Sequence, residues 1–245
     1  MRHVFRYLVD EDPVDGAEIV LSDDDSRHLV KVVRRQVGDG VEVIAPSGDL
    51  WPCEVVSTGN PAVVRVAGPA RPAPYVPPLT LWVGLAEPGR LDLIAEKAAE
   101  LGVRDLGVVV TERAKRVPDP DAWERRQARM QRVAVAAARQ SGRGVRPVPR
   151  GLVPFAHVLE TTDPGQGIIL DPRAGDSLAQ VIGGRDSGAP MTLLVGGDTG
   201  FTDAEADAAA AAGFHAAHMG SGVLRAETAA IAAATLALTH MGGLS

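Results

Sequence analysis

The rhythm of apolar and polar residues changes once along this chain, near residue 70. Before that point apolar residues come in short β-type runs, at 4–9, 18–21, 41–44, 50–56 and 63–66. Turn signals separate the runs: Asp15-Gly16, Gly38-Asp39-Gly40, Ser47-Gly48-Asp49 and Gly59-Asn60-Pro61. Short strands with close turns predict a small barrel. One helix interrupts them, with Ser22 as its N-cap and Leu29, Val32 and Val33 as its apolar stripe. Arg34 and Arg35 end that helix, where cations are favourable. Five prolines within residues 68–78 then forbid a continuing sheet and predict a semi-rigid spacer.

Beyond the spacer, strands and helices alternate. Strands are predicted at 79–83, 106–110, 167–170, 191–195 and 215–218, and helices at 91–101, 121–140, 202–212 and 226–241. That alternation predicts an α/β domain on a mostly parallel sheet with helices on both faces. The expected organisation is a barrel domain at 1–70, a proline-rich linker at 71–78 and an α/β domain at 79–245.

Composition sharpens this picture in two places. The single cysteine, Cys53, excludes an internal disulfide and, in the strand-like LWPCEVV, reads as a buried small hydrophobe. No apolar run reaches membrane-spanning length and residues 1–7 carry no signal-peptide core, so a soluble, cytoplasmic protein is expected. The formal net charge is −6, yet residues 113–150 hold eleven Arg or Lys against three acids. A local basic block on an acidic chain fits an RNA-contacting surface. Arg125, Arg129, Arg132, Arg139 and Arg143 recur at helical spacing and share one face.

Three loops suggest chemistry. LLVGGDTGF (193–201) reads as a buried strand entering a glycine turn, HMGSGVLRAETA (218–229) as a second turn feeding an alanine-rich helix, and LDPRAG (170–175) as a third loop at the same sheet edge. Glycine turns at strand ends let backbone amides approach a nucleotide-like cofactor closely. Neither a phosphate loop nor a Rossmann fingerprint is present, and no Cys or His spacing is of the zinc type, so no metal is expected. Arg225 and Glu227 stand where the second turn becomes a helix: the first suits a phosphate or an anionic base, the second a proton or hydrogen bond, although the two could simply pair.

Several of these segments resemble the RsmE-like 16S ribosomal RNA uridine-N3 methyltransferases, a branch of the knotted SPOUT superfamily. That family's signature runs roughly I-G-P-E-G-G-F-[ST] and then L-G-x-R-I-L-R-x-E-T-A. Here it reads Val195-Gly196-Gly197-Asp198-Thr199-Gly200-Phe201-Thr202 and Met219-Gly220-Ser221-Gly222-Val223-Leu224-Arg225-Ala226-Glu227-Thr228-Ala229. EKAAELGV (96–103), TER (111–113), AAARQSGR (136–143) and RHLVKVVR (27–34) match further motifs in order.

The resemblance implies a trefoil-knotted SPOUT domain preceded by a PUA-like RNA-binding barrel. It implies S-adenosyl-L-methionine as cofactor, small-subunit ribosomal RNA or a ribosomal subunit as partner, no membrane, and a homodimer. Arg225 and Glu227 would carry the chemistry. Leu170, Gly196, Gly197, Asp198, Gly200, Met219, Gly220, Val223, Leu224 and Thr228 would hold the cofactor. Arg34, Arg113, Arg125, Arg129, Arg132, Arg139, Gln140 and Arg143 would meet RNA. Two departures stand out: Thr199 replaces a glycine of P-E-G-G, and Gly222 replaces the arginine of L-G-x-R. Three functions stay open at this stage: uridine-N3 methylation, methylation of another RNA position by a SPOUT enzyme, and RNA binding by a catalytically degenerate paralogue.

Overall fold

The computed structural model describes residues 5–72, 75–141 and 147–244. The chain divides into two compact units, Met1–Pro74 with Arg139–Gly144, and Tyr75–Ala138 with Val145–Ser245.

The first unit is built on a five-stranded sheet ordered β1-β3-β4-β5-β2, from β1 (Arg6–Leu8), β2 (Glu18–Val20), β3 (Gly40–Ile44), β4 (Leu50–Ser57) and β5 (Val63–Val66). Only β1 and β3 run parallel, and β1 and β2 do not close on each other, so this PUA-like unit is a half-barrel. Alternate strand residues fill its core: Tyr7, Val41, Val43, Cys53, Val55, Val64 and Val66. Burial pushes the Cys53 thiol up to about 11, as expected of a packed, unreactive cysteine.

Helix α1 (Asp23–Arg27) is capped by Ser22, whose hydroxyl accepts from Asp25 N at 3.1 Å. It passes directly into a π-helical turn, His28–Val32, that seats Leu29 in the core. Arg34 then takes φ 57°, a left-handed conformation rarely imposed on a residue with a side chain. Tyr7 is fully buried, with its hydroxyl 3.3 Å from His28 Nδ1. Burial, reinforced by the Asp25 carboxylate, raises the Tyr7 phenol well above the ordinary range.

The second unit carries an all-parallel six-stranded sheet ordered β11-β9-β10-β6-β7-β8. Its elements in chain order are β6 (Leu79–Gly84), α2 (Pro88–Leu101), β7 (Asp105–Val110), α3 (Pro120–Ser141), β8 (Val148–Pro154) and α4 (Phe155–Thr161), then β9 (Gly167–Leu170), α5 (Leu178–Gly183), β10 (Met191–Val195), α6 (Asp203–Ala211), β11 (His215–Ala217) and α7 (Ala226–His240). Strand alternation splits the interior in two. Leu79, Leu81, Val83, Leu193 and Val195 face α2, α5 and α7, while Trp82, Val109, Ile169 and Leu194 face α4 and α6. On the second face Gly107 makes room for an indole: a Cβ there would stand 2.1 Å from the Trp82 ring. This is the helices-on-both-faces, SPOUT-like architecture expected from the sequence.

Three elements are additions to the sequence reading. Edge strand β8 pairs only with β7, and its Pro149 and Pro154 hid it, because proline is tolerated only where one side of a strand is free. Helices α4 and α5 span seven and six residues, too short for an apolar period to register.

Candidate functional site

Open parallel sheets bind ligands beyond the carboxyl ends of their strands. Here β9, β10 and β11 lead into a cleft of about 640 Å³ lined by the loops that follow them.

The loop after β10 forms its floor. Gly200 takes φ 66°, donates its N–H to Gly197 O at 3.1 Å and folds back on Gly196, where a Cβ would meet Gly200 Cα at 2.9 Å. Beneath it the main chain touches β6: a Cβ on Gly197 would sit 2.7 Å from Leu85 O. The turn ends in a capping box, Thr202 Oγ1 accepting from Glu205 N and Glu205 accepting from Thr202 N, which starts α6. Thr199 is unstrained, since the position that needs a left-handed backbone is the retained Gly200.

The loop after β9 is held by an ion cluster. Asp171 is buried, donates its N–H to Ala217 O at 3.0 Å and accepts from Arg173 N, Nε and Nη2. Those hydrogen bonds hold its carboxyl below the ordinary carboxylate range. Arg173 also reaches Asp203 at the start of α6, so one guanidinium joins two loops of the cleft.

The loop after β11 is tied by His218, whose N–H meets Asp176 O at 2.9 Å and whose Nδ1 accepts from Gly220 N at 3.0 Å. Arg225 is the N-cap of α7, exposed at the cleft rim and without an ion-pair partner among the described residues. It does not pair with Glu227. That carboxylate is mostly buried, and its Oε2 lacks a hydrogen bond but lies 3.8 Å from Nε of Arg90. Arg90, in the first turn of α2, also pairs with Asp198 and lies 3.7 Å from Glu87. It couples the β10 loop to the start of α7, and sequence reading missed it because those two partners, Asp198 and Glu227, lie more than a hundred residues away.

Of the expected cofactor residues, Leu170, Gly196, Gly197, Asp198, Gly200, Met219, Val223 and Leu224 line the cleft, together with Arg225. Gly220 and the exposed Thr228 do not line it. Unforeseen wall residues are Arg90, Asp171, Arg173 and Ala217; LDPRAG was the one signal pointing to two of them. The glycines let this loop pack tightly on itself and on the end of β6, and the bare main-chain floor that results suits a flat adenosyl group reached by backbone amides.

The expected RNA residues fall on both units. Arg125, Arg129 and Arg132 are exposed along α3, with Arg129 Nε 2.6 Å from Asp92, and Arg113 borders the cleft. On the first unit Arg34 and Gln140 are exposed, while Arg139 is turned inward to Asp25 at 2.7 Å. Arg143 lies outside the described residues.

Comparison with known proteins matches this geometry to a family. The family described as RNA methyltransferase domain matches residues 73–238, and that described as RNA methyltransferase PUA domain matches residues 21–66. A Synechocystis protein named Ribosomal RNA small subunit methyltransferase E is 26% identical over 249 residues, covering 98% of this chain and 78% of that protein. The crystal structure of a Ribosomal RNA small subunit methyltransferase E from Neisseria gonorrhoeae, bound to S-adenosyl methionine, superposes with a TM-score of 0.85 at 24% identity, over 97% of this chain and 98% of that one. A Legionella pneumophila methyltransferase structure with the same bound cofactor gives a TM-score of 0.85 at 22% identity, again over 97% and 98% of the two chains. The chain belongs to the RNA methyltransferase domain family, with the PUA-containing architecture of the RsmE type.

Proposed function

We propose that this protein transfers the methyl group of S-adenosyl-L-methionine to N3 of a uridine in 16S ribosomal RNA. The observation that carries the reading is the cleft itself: a main-chain glycine floor beyond β10, with a guanidinium that has no ion pair among the described residues, Arg225, at its rim. The names of the Synechocystis and Neisseria relatives support the choice of small-subunit RNA.

The cofactor supplies an electrophilic methyl group and its own leaving group. What remains for the chain is to position the base and manage one proton. Uracil N3 carries a weakly acidic proton, and its loss spreads negative charge over the flanking carbonyl oxygens. Arg225 stabilises that charge, and Glu227, which lies just behind the cleft wall with Oε2 buried and unbonded, accepts the proton once the bound base opens a path to it. Arg90 positions Glu227 and Asp198. Gly196, Gly197, Gly200, Leu170, Met219 and Leu224 surround the adenosyl group. Arg34, Arg113, Arg125, Arg129, Arg132, Gln140 and Arg143 serve the RNA, with phosphate contacts from the exposed arginines, whereas Arg139, turned inward to Asp25, holds the fold. Action in the cytoplasm as a homodimer belongs to the same proposal and follows from the resemblance to the family.

Gly222, where the family motif has arginine, favours one competing reading, a different methylated position in RNA. Mass spectrometry of 16S nucleosides from a deletion strain separates the two. Loss of N3-methyluridine, restored by the purified protein and S-adenosylmethionine, is the expected result. Loss of a different methylated nucleoside overturns the N3 assignment, and an unchanged profile overturns the ribosomal substrate.

A further inference from the structure

A second cavity, of about 710 Å³, adjoins the cofactor cleft. The two share Arg113, Asp198 and Thr199 as a common wall. Its volume falls within the ordinary range for small-ligand sites, roughly 300–1,000 Å³. The start of α2, the loop after β7 and the first turns of α3 form its sides.

Its chemistry is uneven in an informative way. Trp123 supplies a half-buried indole, fixed in orientation by Nε1 donating to Gln127 Oε1 at 3.0 Å. The lining carboxylates are already engaged: Glu87 and Asp198 with Arg90, and Asp119 with the N–H of Ala122 at 2.7 Å. Of the cations, Arg126 lies 3.8 Å from Asp92, and the other three carry no ion pair among the described residues. Arg113 touches only the carbonyls of Thr199 and Phe201, and Lys115 and Arg116 have no ion-pair partner among the described residues. An oriented aromatic face beside uncompensated cations is the combination that holds single-stranded nucleic acid, the ring stacking on a base and the cations meeting its phosphate.

Building on the uridine-methylation reading, we infer that this cavity is a subsite for the nucleotide flanking the target. The target base occupies the cofactor cleft, the neighbouring base stacks on Trp123, and the phosphate between them meets Arg113, Lys115 and Arg116. The strand is thereby splayed over the shared wall, which holds the target base out of its stack. Stacking reads the π face of any base, so the subsite fixes geometry with little preference for sequence.

The test uses the full-length protein and a single-stranded oligoribonucleotide from small-subunit RNA, with 5-iodouridine beside the methylated position. Photocross-linking to Trp123, located by mass spectrometry, is expected. Trp123→Ala should weaken oligonucleotide binding about tenfold or more, with cofactor affinity by calorimetry unchanged, while Trp123→Phe retains most of it. Should Trp123→Ala misfold, the surface pair Lys115→Glu and Arg116→Glu provides the same readout and should flatten the salt dependence of binding. Parental RNA affinity in Trp123→Phe, Trp123→Ala and the double charge reversal overturns the subsite, whatever nucleotide is methylated. If these variants lose RNA affinity but no N3-methyluridine forms, the catalytic reading falls and the subsite stands.

Discussion

Thr199 donates its hydroxyl to the main-chain carbonyl of Arg113 at 3.2 Å, and the Arg113 guanidinium returns toward the carbonyl of Thr199 at 3.5 Å. The residue that departs from the family's glycine pattern is thus a tie between the loop after β10 and the segment after β7. Glycine at this position could not make it. The left-handed turn is left to Gly200, so the substitution adds a hydrogen bond without adding strain.

Removing that tie should therefore loosen the loop without destroying the cleft. A single exposed hydrogen bond contributes about 0.5–1.5 kcal/mol. Thr199→Val and Thr199→Gly are expected to weaken S-adenosylmethionine binding by no more than about tenfold in calorimetry. Complete loss in either variant would show that the hydroxyl itself contacts the cofactor.

Gly196 is a different case. A methyl group there would press to 2.9 Å on the backbone of Gly200, which has no side chain to move aside. Gly196→Ala should abolish measurable cofactor binding while the circular dichroism spectrum stays parental. Undiminished binding would remove the β10 loop from the cofactor site.

Arg225 should act on rate. Removing one preorganised electrostatic interaction typically costs on the order of a hundredfold in turnover or more. Arg225→Ala is expected to lower single-turnover methylation by that order with little change in cofactor affinity, and Arg225→Lys to recover only part, since an ammonium cannot present a two-pronged donor. Near-parental rates reject the catalytic role. Loss of cofactor binding together with rate reassigns Arg225 to the cofactor pocket.

The Asp171–Arg173 pair makes a pH-dependent statement. A carboxyl held below its unfolded value contributes stability above the ordinary carboxylate range, near about pH 4, and loses that contribution as pH falls through its folded value. Arg173→Ala should melt lower than the parent at neutral pH, and the two curves should converge in acid. A gap that persists unchanged to low pH would mean that Arg173 stabilises by packing alone.

Along α3, reversing Arg125, Arg129 and Arg132 should weaken RNA binding uniformly. It should also flatten the salt dependence by roughly 0.7–0.9 of a unit in slope for each phosphate no longer neutralised. Arg129 is partly neutralised by Asp92 at 2.6 Å, so Arg125 and Arg132 should account for more of the change. Parental salt dependence would make the stripe an ordinary solvated face.

What could be read from the sequence was local. The run into Gly196-Gly197 and the Ser22 cap each announce themselves within a few residues, and each is present. The site's long-range wiring could not be read that way. Arg90 meets Asp198 and Glu227, Arg173 meets Asp203, and Thr199 meets Arg113; these partners are joined by sheet order and by no periodicity. The π-helical turn at His28–Val32 was equally hidden, because one extra residue in a helical turn barely alters an apolar stripe.

The close approach of Gly84 and Gly197 bears on how this cleft could be re-engineered. A Cβ on Gly84 would lie 2.2 Å from Gly197 N, so two bare backbones meet there, with nothing to trim. A donor carrying a bulkier alkyl group cannot be accommodated by carving into that wall. The adjustable side chains of the cleft are at its exposed rim, where Val223 is 84% exposed and Leu224 follows it. If the proposed cofactor site holds, shortening those two side chains is expected to admit larger transferable groups, while the glycine floor is left intact.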